Sequence, residues 1–256
     1  MPIKPQIPPE FIEQQDIEIR YKNIDGEEKS AFWRNAFSEK LLGPNIDRFY
    51  PTETLYGDWD GEVLFLAQDA LPAPLLEKYI QDFRKKGIPI SETWVHADRD
   101  NPNLKNLDKS IKPGGFITNQ NLRKFKEKYI GSKGALYGSA AANMLFDNGT
   151  TKMRGATGFN HPDFQEYMQS VLEWVVKSMP NLKTIFCLGK APWEVSSSFL
   201  KLDKKDREYK KFKGGPPKRA IIGTKEIEII ASYHPTAAIT KARRNESWEY
   251  LKKSLK

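Results

Sequence analysis

The sequence has a single cysteine, Cys187, in 256 residues. That scarcity excludes disulfides within the chain, and with them any zinc or iron-sulfur centre held by several of its own cysteines. Cys187 lies inside the apolar run TIFCLG, where a small buried hydrophobe is its expected role. Long apolar runs are missing too, and no stretch approaches the roughly 20 residues that span a bilayer. The opening MPIKPQIPPEF lacks the apolar centre of a secretory signal, so a cytoplasmic protein with no membrane partner is expected. Histidine is scarce, at three residues, and acids are outnumbered, with 33 Asp and Glu against 41 Lys and Arg. The resulting net charge of +8 suits a polyanionic partner such as nucleic acid without requiring one.

What is present argues for a globular core: 39% of the residues are apolar, among them fourteen Phe and six Trp. The length suits one large α/β domain. We expect that domain over residues 51–256, with residues 1–50 forming an extension packed on it and a helix near SAFWRNAFSEKLL. The basic stretch KKFKGGPPKR, residues 210–219, reads as a mobile loop because Gly and Pro punctuate it. Four apolar segments read as parallel strands: EVLFL (62–66), the region from Leu136 to Phe146, TIFCLG (184–189) and EIEIIAS (226–232). Between them, LLEKYIQDF and DFQEYMQSVLEWVV carry apolar residues at helical spacing. Further helices are expected at NQNLRKFKEKY, PWEVSSSFL and ESWEYLKKSL. Strands alternating with helices predict a three-layer α/β/α sandwich around a central four-stranded, mainly parallel sheet.

In such a fold ligands bind beyond the carboxyl ends of the strands. The residues that follow the strands are Gln68 and Asp69, then Asn143, then Gly189, then Tyr233, His234 and Pro235. Taken singly, Asp69 would serve equally as a helix cap, His234 as a hydrogen-bonded structural histidine and Asn143 as a partner for buried backbone. Together they place an acid, an amide and an imidazole along one edge. His161, in GFNHPDF, reads as a turn residue before a helix. His96, Asp98 and Asp100, in HADRDNPN, alternate so that they could offer a divalent cation its ligands, although solvated loop acids are the ordinary case and no metal is expected.

The order of these motifs resembles the uracil-DNA glycosylase superfamily. That family opens with a strand ending in a Gly-Gln-Asp-Pro-Tyr-His type sequence, here AQDALP, and closes with a strand ending in His-Pro-Ser, here YHPTAAI. Between them, AAANMLF resembles the family's strand ending in a base-reading asparagine, and KTIFCLGKAPW its third core strand. Ala70 and Leu71 stand where the best-known branch has Pro and the Tyr that excludes thymine. One cysteine cannot build the cluster of the iron-sulfur branches, and residues 94–119 look more like a bacterial branch without it.

The resemblance implies a cofactor-free monomer that hydrolyses the N-glycosidic bond of uracil or a related deaminated base in DNA. Asp69 would stabilise the sugar cation and orient water, and His234 would stabilise the departing base. Gln68 and Asn143 would read the base, with Trp94 stacked on it and Phe116 the competing platform. Thr236, Lys241, Arg243 and Arg244 would hold phosphates while Ile239 wedges into the vacated stack. The competing expectations are a catalytically silent DNA-binding protein of the same fold and a metal-dependent phosphodiesterase built on Asp69, His96, Asp98 and Asp100.

Overall fold

The computed structural model describes residues 5–22, 25–35, 55–68, 85, 116–131, 133–140, 144–146, 162–222, 224–235 and 240–256. Its centre is a six-stranded sheet. The inner strands are β4 (Val63–Ala67), β5 (Ala135–Ser139), β7 (Thr184–Leu188) and β9 (Lys225–Ser232). They run parallel in the order β5-β4-β7-β9. Two antiparallel strands, β3 (Leu55–Gly57) on β5 and β8 (Lys218–Ile222) on β9, extend the sheet on either side. The sheet is therefore wider than the four strands expected, because both borders were too short or too charged to carry an apolar signal.

Alternation along the inner strands sends side chains to two faces, and each face buries its own cluster. Leu64, Leu66, Ile185, Cys187 and Ile229 share one core with Phe164, Met168 and Val171 of α3 (Pro162–Ser178) and Trp193 of α4 (Lys190–Phe199). Val63, Phe65, Phe186 and Ile230 share the other with Leu122 and Tyr129 of α2 (Phe116–Tyr129) and Trp248 and Leu251 of α6 (Lys241–Ser254). Helices on both faces explain why β7 is buried at every position. The three layers follow from that pattern.

Two expectations fail in instructive ways. Residues 30–35 are not helical but belong to β2 (Glu28–Asn35), which pairs antiparallel with β1 (Ile17–Lys22). The partner strand supplies the backbone hydrogen bonds that a local pattern cannot anticipate. Likewise, Leu136 to Phe146 is not one strand. β5 ends at Ser139, and β6 (Met144–Phe146) joins β2 in a separate three-stranded sheet. The segment LLEKYIQDF lies outside the described residues.

The N-terminal elements pack on α3. Phe11, from α1 (Pro9–Glu13), meets Tyr167 and Trp174 edge-on at 5.9 and 5.6 Å. Trp33 stacks on Phe164 at 4.4 Å. The buried Asn35 amide donates to the Phe11 carbonyl at 2.8 Å and to that of Gln14 at 3.0 Å, tying the end of β2 to the chain around α1.

At the amino edge of the sheet, Glu62 accepts from Lys133 at 3.0 Å and from Lys183 at 3.1 Å. Partial burial alone would raise its pKa, but the two ammonium groups prevail and hold it below the ordinary carboxylate value. A depressed folded pKa contributes stability above the unfolded pKa of about 4.3 that is lost as the pH falls through the folded value. Glu62→Gln is therefore expected to lower stability by about 1 kcal/mol or less at pH 7 and to flatten the acid limb of a urea-melt series between pH 5 and 3.

Gly57 closes β3 with φ of +113°, and a Cβ there would be driven into the Ala135 carbonyl oxygen. Gly57→Ala combines backbone strain with a clash against β5. The expected loss is about 2–3 kcal/mol, read as a lower midpoint in chemical denaturation with unchanged slope.

Candidate functional site

Strand register defines one carboxyl edge. Ala67 lies opposite Ser139, Leu66 opposite Cys187, and Leu188 opposite Ser232. Gln68, Gly189 and Tyr233 each follow directly on an inner strand and so border this edge. Gln68, Tyr233 and His234 are half-buried, and Pro235 is buried. β4 and β9 are separated by β7, which puts their ends about 9–10 Å apart.

The strand between them ends in the one residue that adds no bulk. Gly189 has φ of +116°, and among the described residues no atom lies within 4 Å of where its Cβ would stand. Gln68, at the end of β4, and the turn carrying His234, at the end of β9, thus stand on either side of Gly189 along this edge. Helix α4 starts directly after Gly189, so the first-turn N–H groups of Lys190 and Ala191 add donors to the same edge, Pro192 having none.

The turn that carries His234 is bolted from several sides. The buried hydroxyls of Ser232 and Ser247 share a 2.9 Å hydrogen bond. The Ser232 carbonyl accepts from the Tyr209 hydroxyl at 2.9 Å and from the Gly189 N–H at 3.1 Å. Asn121, in α2, donates its side-chain amide to the Pro235 carbonyl at 3.3 Å. Burial pushes the Tyr209 phenol above its ordinary pKa, and nearby Tyr233 and Cys187 add to the shift, so Tyr209 stays a donor at neutral pH. These groups position the turn. Sequence reading missed Asn121, Tyr209 and Ser247 because each acts on a residue far along the chain, 114 positions away for Asn121.

Of the residues expected to form the site, Gln68 and His234 stand at this edge. Arg243 is exposed in the first turn of α6, whose cap is Thr240, the hydroxyl of which accepts from the Arg243 N–H. Lys241 and Arg244 share that turn. Asp69, Asn143, Trp94, Thr236 and Ile239 lie outside the described residues, as do His96, Asp98, Asp100 and His161. Asn143 immediately precedes β6 in sequence rather than ending a long inner strand. Among the described residues no cluster of His, Cys, Asp and Glu has the makings of a metal site.

Two other groups carry no chemistry here. Cys187 is fully buried against Ser196, and burial pushes its thiol up to about 12, which keeps it protonated. A groove of about 830 Å³ lies away from the strand ends, between the N-terminal elements and α3, and carries Glu10, Asp16, Glu18, Glu166 and Glu173. Its sign repels a polyanion.

Among the described residues no helix is long and apolar enough to cross a membrane. The class defined by these features is a three-layer α/β protein whose inner parallel strands share one carboxyl edge. The sequence matches no family model, and a search of curated proteins finds no match.

Proposed function

We propose that this protein is a DNA glycosylase of the uracil-DNA glycosylase type, hydrolysing the N-glycosidic bond of uracil or a related deaminated base. The observation that supports the reading is the carboxyl edge along which Gln68 and the turn carrying His234 stand on either side of Gly189. Asp69 follows Gln68 directly in sequence, as the AQDALP motif requires.

Breaking the bond between C1′ and the base nitrogen leaves positive charge on the sugar and negative charge on the base. Asp69, ionised, stabilises the cation and orients the water whose oxygen bonds to C1′. His234, as a neutral imidazole, donates to a carbonyl oxygen of the base and stabilises its anion, which leaves and takes up a proton. Asn143 pairs with the base edge through one donor and one acceptor. The nucleotide reaches the site by leaving the stack, at a cost of a few kcal/mol.

The test is incubation with oligonucleotides carrying uracil, hypoxanthine, xanthine or a thymine mismatch, followed by alkali. Alkali-labile breaks at the deaminated base are expected, without added metal and in the presence of chelator. Intact strands for every base, with DNA still bound, favour the silent DNA-binding protein. Activity abolished by chelator favours the metal-dependent phosphodiesterase.

A further inference from the structure

The positive charge of this chain is not spread evenly. The segment KLDKKDREYKKFKGGPPKR, residues 201–219, holds nine Lys and Arg against three Asp and Glu, a surplus of six where the whole chain has a surplus of eight. Like charges packed this densely repel one another and work against folding. Nonetheless the segment is held in place. The Trp193 indole donates to the Arg207 carbonyl at 2.8 Å, and the Arg207 guanidinium donates to the Leu202 carbonyl at 2.6 Å. Lys218 meets Asp206 at 3.1 Å, and the Gly214 N–H donates to the Ala231 carbonyl at 2.8 Å. The stretch expected to be a mobile loop contains a short helix, α5 (Tyr209–Phe212), and then leads into β8.

It is also held next to the carboxyl edge. Gly214 packs so closely that a Cβ there would sit 3.2 Å from the Tyr233 ring, 3.4 Å from a Glu246 carboxylate oxygen and 3.7 Å from the Arg243 carbonyl. The Lys213 ammonium lies 5.6 Å from the centre of the Tyr233 ring. The segment therefore meets both the turn carrying His234 and the basic first turn of α6. Some of its cations are neutralised locally, Lys211 by Glu208 at 2.7 Å and Lys205 by Asp203 at 3.6 Å. Lys204, Lys210 and Lys213 are exposed, and none pairs with a carboxylate among the described residues.

We propose that residues 201–219 form a fixed docking surface for the phosphodiester backbone of nucleic acid, running from α5 to the turn that carries His234. The inference rests on the glycosylase reading for the nucleotide that enters the site. The surface offers charge without an apolar anchor, since Leu202, Tyr209 and Phe212 are partly buried against the core. That composition suits phosphates in water, and the one exposed large hydrophobe among the described residues, Ile221 on β8, lies beyond the segment as a single side chain, too little for a lipid surface to hold.

The test is equilibrium binding of a labelled uracil-containing oligonucleotide across a salt series, with base release measured in parallel. The variant is K204Q/K210Q/K213Q. Its control, K252Q/K253Q/K256Q, removes the same charge at the other end of α6, close to Leu255, which the amino-edge Lys133 contacts. The first variant is expected to bind on the order of tenfold more weakly at about 100 mM salt, and its plot of log affinity against log salt to be shallower by about 2–3. The control should keep nearly the native slope. Equal losses in both variants, native binding in the first, or tighter binding of wild type to phosphatidylglycerol vesicles than to DNA would overturn the surface. If wild type releases no base while the slopes differ as expected, the glycosylase reading falls and the surface stands. Base release with identical slopes does the reverse.

Discussion

Asp69→Asn is expected to slow the single-turnover release of uracil by about 10²–10³-fold while leaving oligonucleotide affinity within about threefold. The magnitude is that of removing one preorganised group that faces developing charge. In the proposed mechanism, asparagine keeps the size and one oxygen of the side chain but loses the full negative charge that would stabilise the sugar cation. Affinity should survive because the carboxylate repels phosphate and its removal can only help binding in the ground state. The measurement is single-turnover rate at saturating enzyme, which separates chemistry from binding. An unchanged rate would remove Asp69 from the mechanism. His234→Ala, measured in the same way, should cost roughly tenfold to a hundredfold, because the leaving base loses a donor while the sugar cation keeps its counter-charge.

The largest expected effect on stability lies under the other face of the sheet. Trp248 is 1% exposed and stands between the sheet and α2. Its ring lies 4.5 Å from Phe186, 4.9 Å from Phe125, 5.5 Å from Phe65 and 5.8 Å from Tyr129. Trp248→Ala removes the centre of this aromatic cluster and leaves a cavity that four rigid rings cannot collapse into. About 3–5 kcal/mol is expected, a large share of the 5–15 kcal/mol that ordinary domains possess. Denaturant melts followed by circular dichroism measure it. A loss below about 1 kcal/mol would mean that α6 does not pack as described. Because Ser247 neighbours Trp248 and bonds to Ser232, the variant should also loosen the His234 turn.

Much of the architecture was legible before any coordinates. The inner strands β4, β7 and β9 announce themselves as apolar runs, and α3 as a stripe at helical spacing, because burial is the same demand wherever it arises. The edge strands were not legible. LYG is too short for periodicity to register, and KRAII opens on two charges and runs on directly from the basic stretch before it, so its three apolar residues give no strand signal. Residues 30–35 and 144–146 were misassigned for a related reason: the identity of a strand's partner is a non-local matter.

The composition and order of the residues alone determined that this chain folds as an α/β protein, that Cys187 is buried, and that Gln68 and His234 follow inner strands. Those properties depend on local spacing and on the free energy of removing apolar surface from water. Only the tertiary structure decided that Gly189, at the end of β7, stands between Gln68 and the turn carrying His234, that Asn121, Tyr209 and Ser247 hold that turn, and that residues 201–219 are fixed beside it. Each of these depends on which distant backbone group meets which side chain, and such pairings are settled by register and packing rather than by any run of neighbouring residues.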